Sequence, residues 1–184
     1  HNLFHDMPRA GVFLFQNCGG DVIEYNHMYK LMQETNDGGA IHLYSGHLYG
    51  QPSQIRYNLV HNIGSEKLWC RGIYLDGSIN RMLVENNVVY EVGGRGSVLV
   101  CTKGIRNTFQ NNILVNSWAV KTSSRAYYDH QVFKHNVCVN MADYSKYYVD
   151  HLHSITLIDQ KNYQTDMNKN IIWMGEKPVI SLDK

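Results

Sequence analysis

Ile23-Glu24-Tyr25-Asn26 is the clearest copy of a frame that recurs along this chain. The frame consists of an apolar residue, a polar residue, any residue and an asparagine, followed by a short apolar segment. Its complete and partial copies place asparagines 24, 32, 29, 25, 24 and 34 residues apart, at Asn2, Asn26, Asn58, Asn87, Asn112, Asn136 and Asn170. Self-similarity at a period of roughly 20–50 residues is typical of stacked repeats. The frame therefore predicts a fold of stacked coils.

A second segment, which begins with a small residue and then alternates in polarity, lies between the asparagine frames. Its copies are residues 11–15, 40–44, 72–76 and 97–101, with a weaker copy at 118–121. Alternation of this length indicates strands, and no stretch of ten or more residues has a convincing helical pattern. The predicted fold class is all-β: a right-handed parallel β-helix solenoid of about five to six coils, each with about three short strands.

The asparagines are expected at the corners between strands, where they tolerate left-handed backbone and bond groups that lack ladder partners. Asparagines stacked at the ~4.8 Å spacing of paired strands can also bond one another. Alignment of the second segment predicts two inward ladders, Val12, Ile41, Ile73, Val98 and Leu14, Leu43, Leu75, Val100. It predicts two outward ladders as well, Phe13, His42, Tyr74, Leu99 and Phe15, Tyr44, Asp76, Cys101.

Composition narrows the function classes. The 184 residues suffice for one domain, and the 17 basic and 16 acidic side chains nearly cancel, which argues against a nucleic-acid or anionic-membrane partner. No run of about 18 apolar residues predicts a membrane span. The four cysteines form no CxxC pair, so a zinc site is not expected.

The whole chain, residues 1–184, is interpreted as one β-helix domain in which residues 141–168 form an irregular loop or cap. The first residues align with the middle of a coil, because His1-Asn2-Leu3 matches Tyr25-Asn26-His27. A solenoid needs polar caps at its ends. We therefore expect a longer chain, whose remainder packs on the N-terminal coil.

Two carboxylates are the leading candidates for chemistry. Glu34 and Asp37 come just before the second strand copy, followed by two glycines that allow close backbone approach, while Asp76 ends the next copy. Two carboxylates near one sugar-binding face are the minimum for glycoside hydrolysis. Asp37, however, aligns with Trp69, which on a straight strand lies about 23 Å from Asp76. The pair requires a bend that folds Asp37 back over the strand, and Glu34 is its substitute.

Aromatic and basic residues surround these carboxylates in the predicted register. A row of rings with hydroxyl and imidazole groups suits sugar recognition, and its members are His42, Tyr44 and Tyr74. Arg9 and Arg71 come near the start of the same strand in different coils. Each arginine can either bind a substrate hydroxyl or carboxylate, or neutralise Asp37 or Asp76.

Several of these stretches carry a family resemblance. His5-Asp6-Met7-Pro8-Arg9-Ala10-Gly11, the run Glu34-Thr35-Asn36-Asp37-Gly38-Gly39-Ala40-Ile41 and Gly72-Ile73-Tyr74-Leu75-Asp76 together resemble bacterial right-handed β-helix proteins near glycoside hydrolase family 141. The resemblance covers about residues 1–116. It implies the pectin-lyase-like fold, fucosidase- or xylanase-like activity on plant polysaccharides, and catalytic carboxylates at Asp37 and Asp76. His42 departs from the tyrosine expected there.

These observations predict a secreted or periplasmic glycoside hydrolase that acts on an oligo- or polysaccharide without a cofactor. Two alternatives stay open. A polysaccharide lyase of the same fold would use Lys103, Arg71 or His42 as its base and could require Ca²⁺. A non-catalytic adhesion β-helix would bind glycans without turnover.

Overall fold

Every regular element that the computed structural model describes is a β-strand. It describes residues 1–16, 19–44, 51–65, 69–77, 79–93, 97–101, 104–115, 118–122, 131–139 and 166–173. The strands are β1 (Leu3–His5), β2 (Val12–Phe15), β3 (Val22–Glu24), β4 (His27–Leu31), β5 (Gly38–Tyr44), β6 (Gln54–Arg56), β7 (Leu59–Ile63), β8 (Cys70–Asp76), β9 (Leu83–Glu85), β10 (Val88–Val92), β11 (Ser97–Cys101), β12 (Thr108–Gln110), β13 (Ile113–Val115), β14 (Trp118–Thr122), β15 (Val132–Lys134), β16 (Val137–Val139), β17 (Asp166–Asn168) and β18 (Ile171–Trp173). The all-β prediction is confirmed.

The strands form three sheets in which every pairing is parallel. The seven-stranded sheet has the order β1-β4-β7-β10-β13-β16-β18, the five-stranded sheet β14-β11-β8-β5-β2, and the six-stranded sheet β17-β15-β12-β9-β6-β3. From β1 to β15 the chain therefore visits the three sheets in turn, and we call one such visit of three strands a pass. Residues one pass apart in sequence lie side by side in space.

Seven asparagines form one continuous ladder beside the seven-stranded sheet. The side-chain amide of each donates to the side-chain oxygen of the next at 2.9–3.0 Å, through Asn2, Asn26, Asn58, Asn87, Asn112, Asn136 and Asn170. The backbone N–H of Asn26 also donates to the side-chain oxygen of Asn58, and later passes repeat this bond. Buried amides are thus paired, as burial requires, and the predicted asparagine contacts are confirmed.

The left-handed backbone at these corners belongs to the residue before each asparagine, so the prediction for the asparagine itself is wrong. Six residues there have φ between 54° and 56°: Tyr25, Tyr57, Asn86, Asn111, His135 and Lys169. The residue with positive φ makes the turn, and the asparagine that follows it directs its side-chain amide toward the asparagine of the next pass. Two of the six are asparagines, a residue type that tolerates this conformation.

The core lies between the sheets and is filled by ladders of aliphatic side chains. Ile41 pairs with Ile73 and Leu43 with Leu75, and all four are fully buried. The fourth copy departs from prediction, because Leu99 and Cys101, not Val98 and Val100, pair with these positions. Ser97 aligns with Arg71 and not with Gly72. The small residue that begins each copy therefore does not define the register of the paired strands. A shift of one residue in the alignment exchanges the side chains assigned to the two faces of a strand.

Strands β1, β2 and β3 are edge strands, one in each sheet. Their side chains are less covered than those of the next pass, with Leu3 58% and Phe15 56% exposed. Packing of further chain on this end stays a prediction. Of the predicted irregular region 141–168, residues 141–165 lie outside the described residues, and Asp166–Asn168 forms β17.

The two cysteines with described side chains, Cys70 and Cys138, are buried free thiols. Burial raises the pKa of Cys70 to about 11 and that of Cys138 to about 12. Cys138 in β16 is thus a buried apolar filler of the core. Among the described residues, no helix has the length and hydropathy that crossing a membrane requires.

Candidate functional site

The paired strands β5 and β8 carry most of the predicted site residues. Their register is continuous, with His42 opposite Tyr74 and Tyr44 opposite Asp76. The pairings predicted within the two outward ladders are therefore confirmed for these two strands. We use the name site row for the side chains that follow one another along this strand pair: Asp37, Arg71, Tyr74, His42 and Asp76.

One end of the site row is an ion pair. The guanidinium Nη1 of Arg71 donates to Oδ1 of Asp37 at 2.7 Å and to the carbonyl of Trp69 at 3.2 Å. The Arg71 side chain is 9% exposed, whereas that of Asp37 is 73% exposed. A buried cation therefore holds a carboxylate that faces solvent. Of the two roles predicted for Arg71, neutralisation of Asp37 is the one observed.

Tyr74 stands at the centre of the site row. The guanidinium of Arg71 lies 4.6 Å from the centre of its ring, and the His42 ring stacks on it at 4.6 Å. Burial raises the pKa of Tyr74, and the nearby negative charges of Asp76 and Asp37 also raise it, against the lowering effect of Arg71. Both carboxylates thus act on one protonated phenol.

The other end of the site row joins a carboxylate to an imidazole. Nε2 of His42 lies 3.5 Å from Oδ2 of Asp76, and the two side chains are 10% and 26% exposed. Oδ1 of Asp76 accepts the backbone N–H of Gly77 at 2.6 Å. Two rings enclose the His42 ring, Tyr74 on one side and Phe13 at 4.9 Å on the other.

Only the rim of this face is exposed, which corrects the expectation of an open row of aromatic faces. Phe13, Phe15 and Tyr44 are 39–56% exposed, whereas His42 and Tyr74 are buried. The rings stack on one another from strand to strand, as Phe15 does on Tyr44 at 5.4 Å, so most ring faces are already covered. Free faces and edges remain at the rim, beside the exposed Arg9, whose guanidinium lies 5.7 Å from the Phe13 ring centre.

The entry to β5 turns sharply at Asp37, whose φ is 56°. Its N–H bonds the carbonyl of Trp69 at 2.9 Å, so the predicted alignment of these two residues is confirmed. The two glycines serve packing: a Cβ on Gly38 would lie 2.6 Å from the Met32 methyl, and one on Gly39 would lie 2.9 Å from Cβ of Tyr74. Fifteen described non-glycine residues share a positive φ, so the turn alone marks no site.

The structure therefore brings Asp37, Arg71, Tyr74, His42 and Asp76 into one row, with the two carboxylates at opposite ends. Trp69 and Asp76 are seven residues apart, about 23 Å on a straight strand, and the side chains of Arg71, Tyr74 and His42 occupy the interval. Glu34 is exposed, and its backbone N–H bonds the carbonyl of Pro8 at 3.2 Å. Lys103 lies outside the described residues.

A second column of rings, on the seven-stranded sheet, was not foreseen. His5 stacks on Tyr29, Tyr29 on His61 and His61 on Tyr90, with ring centres 4.8–5.5 Å apart. Nε2 of His27 lies 2.8 Å from Nε2 of His61, a hydrogen bond between neighbouring strands. The signal was present in the sequence, because each ring occupies the third position of a strand that follows a ladder asparagine.

Within the described part of the chain, no group of three or more His, Cys, Asp or Glu side chains could hold a metal ion. Comparisons with protein-family models, with curated proteins and with solved structures each found no match. The site must therefore be interpreted from its own chemistry.

Proposed function

We propose that the chain is a right-handed parallel β-helix and that it hydrolyses glycosidic bonds of plant or other complex polysaccharides. Support for the solenoid comes from the regular return of the chain to three parallel sheets and from the asparagine ladder. Stacked passes of this kind are the arrangement expected of a repeat protein. The sequence resemblance to family 141 points the same way.

The observation that carries the hydrolase proposal is an electrostatic effect of two carboxylates on one buried phenol. The negative charges of Asp37 and Asp76 both raise the pKa of Tyr74. Hydrolysis of a glycoside needs one carboxyl group to protonate the leaving oxygen and a second to attack or to activate water. Asp37 and Asp76, 39 residues apart in sequence, are the two acids that the site row places on one side of the sheet, and the proposal assigns them these roles.

Substrate binding is assigned to the rim of the same face. Phe13, Phe15 and Tyr44 offer ring edges and the outermost ring faces, and sugar rings pack well on such apolar surface. The Arg9 guanidinium can donate to sugar hydroxyl or carboxylate oxygens. The buried His42 and Tyr74 contribute polar atoms beneath this rim. A secreted or periplasmic location suits a polysaccharide substrate.

The test is release of reducing sugar from plant polysaccharides rich in fucose or xylose. Asp37→Asn and Asp76→Asn should each lower the rate by at least about a thousandfold, because each removes an essential proton-transfer or nucleophilic group. Glu91→Gln, an exposed acid on the seven-stranded sheet, is the matched control and should keep the wild-type rate. A wild-type rate in either aspartate variant would refute the assignment.

A lyase is the second candidate, favoured by the imidazole of His42 beside the carboxylate of Asp76. In a lyase His42 would abstract a proton, and the product would carry a new double bond that absorbs in the ultraviolet. Arg71 is a poor candidate for the base, because its guanidinium already donates a hydrogen bond to Asp37 and offers no acceptor atom. Ultraviolet absorbance of the products, and loss of activity with a calcium chelator, would favour the lyase over the hydrolase.

A further inference from the structure

We propose that His27 and His61, on the seven-stranded sheet, form a binding site for a divalent transition-metal ion such as Zn²⁺. Nε2 of each ring binds the ion, and water fills its remaining positions. The site joins β4 and β7, which are neighbours in this sheet and belong to consecutive passes. The site row lies on the five-stranded sheet, so this inference stands independently of the proposed hydrolysis.

The parallel register places the two histidines within reach of each other. Tyr29 of β4 is opposite His61, and His27 is opposite Leu59, two residues earlier on β7. His27 and His61 are therefore diagonal neighbours, with Cα atoms about 8 Å apart in regular paired strands. Both are partly exposed in strands whose alternate positions are buried. An ion can thus reach both rings from solvent.

The two ring nitrogens already meet at nearly the separation that a metal ion requires. Nε2 of His27 lies 2.8 Å from Nε2 of His61, and the ring centres are 5.0 Å apart. A tetrahedral zinc ion bound at about 2.0–2.1 Å holds two imidazole nitrogens about 3.3 Å apart and their ring centres about 5.2 Å apart. Zinc therefore fits after a small rotation of the rings, and the paired strands do not have to move.

Asn62 determines which nitrogen of His61 is available to a metal ion. Nδ1 of His61 lies 2.5 Å from the side-chain oxygen of Asn62, and an amide oxygen only accepts hydrogen bonds. Nδ1 therefore carries the hydrogen, and Nε2 presents its lone pair toward His27. Metal-binding histidines usually have this arrangement, in which the second ring nitrogen donates to a carboxylate or carbonyl oxygen. Asn62 is thus a positioning residue of the site.

Neighbouring rings hold His61 in place from both faces. Tyr29 stacks on it with ring planes 11° apart, and Tyr90 stacks on the other side with planes 2° apart. The His27 ring is tilted by 43° to Tyr29, so it is not held in a parallel stack with that ring. His61 is therefore the preset ligand, and His27 adjusts when the ion binds. A preset ligand loses little conformational freedom on binding.

Zinc replaces the single hydrogen that joins the two rings. Because the lone pair of His61 faces His27, Nε2 of His27 is the donor in their hydrogen bond of 2.8 Å. When the ion binds, His27 exchanges this hydrogen for one on Nδ1 through solvent, and both Nε2 atoms then coordinate the ion. The number of hydrogens on the two rings does not change, and no electron is transferred. Imidazole nitrogen is a ligand that suits zinc.

Two protein ligands make this an open site whose ion exchanges with solvent. Among the described residues, no third His, Cys, Asp or Glu side chain completes a group with these two. Closed structural zinc sites take four protein ligands, so we expect weaker binding here. The ion acts as a clip between two passes, because a ligand that binds only the folded chain raises its stability. The spacing of the cysteines has no bearing on a site made of imidazoles.

Calorimetric titration of the whole chain with zinc chloride tests the site. His27→Gln and His61→Gln should each weaken one zinc equivalent of the wild type by at least about tenfold, because a single imidazole loses the advantage of two linked ligands. His5→Gln is the matched control and should keep the wild-type affinity. His5 stacks on Tyr29 in the same column, and its Nδ1 lies 2.6 Å from Asp6, but a tyrosine and not a histidine is opposite it.

Asn62→Gly tests the positioning role. Glycine adopts the φ of 51° found at Asn62 without strain, so this change removes the side-chain oxygen and spares the backbone. Zinc affinity should fall about tenfold, as it does when the hydrogen-bond partner of a metal-binding histidine is lost. Wild-type zinc affinity in Asn62→Gly would show that Asn62 does not prepare His61 for the ion.

Nuclear magnetic resonance of the unchanged protein keeps the test valid if a histidine variant fails to fold. In long-range proton–nitrogen correlation spectra of the imidazoles, zinc should shift the Nε2 signals of His27 and His61 and leave that of His5 in place. A wild-type chain whose His27 and His61 signals do not respond to excess zinc would overturn the proposal. Unchanged zinc binding by folded His27→Gln or His61→Gln protein would overturn it as well.

Discussion

The asparagine ladder and the site row are both columns of side chains brought together by the parallel register, yet they differ in uniformity. The ladder repeats one residue in seven positions, with nearly the same hydrogen bond of 2.9–3.0 Å each time. The site row places five different side chains along two strands, and one buried nitrogen there has no hydrogen-bond partner. Uniform, satisfied columns stabilise the stack, whereas a mixed, incompletely satisfied column is where chemistry is expected.

The largest expected effect on stability is in the middle of the ladder. In Asn87→Ala, the side-chain oxygen that accepts two bonds from Asn58 is lost, together with amide bonds to Asn112 and the carbonyl of Ile55. Each group left unpaired costs about 1–3 kcal/mol, so the total should be on the order of 4 kcal/mol. Denaturant unfolding measures it.

Asn2→Ala is the matched control at the end of the ladder. Asn2 donates a single side-chain bond, to Asn26, in a partly exposed setting. We expect a loss below about 1 kcal/mol, because water can replace the missing partner. Equal losses in Asn2→Ala and Asn87→Ala would contradict the view that buried, paired amides stabilise the stack.

An intermediate effect is expected from the ion pair of the site row. Arg71→Gln should lower activity by about 10- to 100-fold, because it removes the cation that fixes Asp37. Arg56→Gln breaks a pair of the same length, 2.7 Å to Glu24, on the six-stranded sheet. That partly exposed pair should contribute about 0–1 kcal/mol to stability and nothing to activity. Equal activity losses in Arg71→Gln and Arg56→Gln would contradict the view that the ion pair of the site row, and not the pair on the six-stranded sheet, contributes to activity.

The sequence predicted the columns better than the contacts within them. The asparagine spacing reveals the passes, and the alternation in residues 40–44 and 72–76 sets the register of β5 and β8. Sequence alignment places the fourth copy of the second segment, which forms β11, one residue out of register, because Ser97 resembles Gly72 in size but not in position. Periodicity specifies which residues are neighbours only as far as the alignment is right.

Burial and partner choice in the site depend on three-dimensional packing that no pattern records. His42 and Tyr74 alternate with core residues, which predicts an outward direction, but their neighbours cover them. Arg71 could have paired with either carboxylate on the basis of sequence, and the turn at Asp37 decides between them. The distance between the carboxylates of Asp37 and Asp76 likewise depends on the direction in which the extended side chains point along the strands.

The effect that is smallest near neutral pH is the contribution of the two buried thiols, which changes stability only on the alkaline side. The pKa of Cys70 is about 11 in the folded protein against an ordinary 9.0, and that of Cys138 is about 12. Because the folded values are raised, this stabilisation is complete below about pH 9 and declines as pH rises toward 11–12. Each thiol adds a slope of up to about 1.4 kcal/mol per pH unit.

Thermal unfolding between pH 7 and pH 11 measures this slope. Cys138→Ala should unfold at a lower temperature throughout, because it leaves a cavity, and should lose less stability than the wild type above pH 9. Parallel curves for the two proteins would show that the buried thiol is not the source of the decline.

The most direct test is to measure activity per folded molecule and unfolding temperature together for Asp76→Asn and Asn87→Ala. We predict that Asp76→Asn keeps its unfolding temperature within a few degrees and loses about a thousandfold in polysaccharide hydrolysis. Asn87→Ala should unfold at a clearly lower temperature, yet each folded molecule should retain the wild-type rate. An active Asp76→Asn protein, or folded but inactive Asn87→Ala protein, would contradict the separation of stability and chemistry between the two columns.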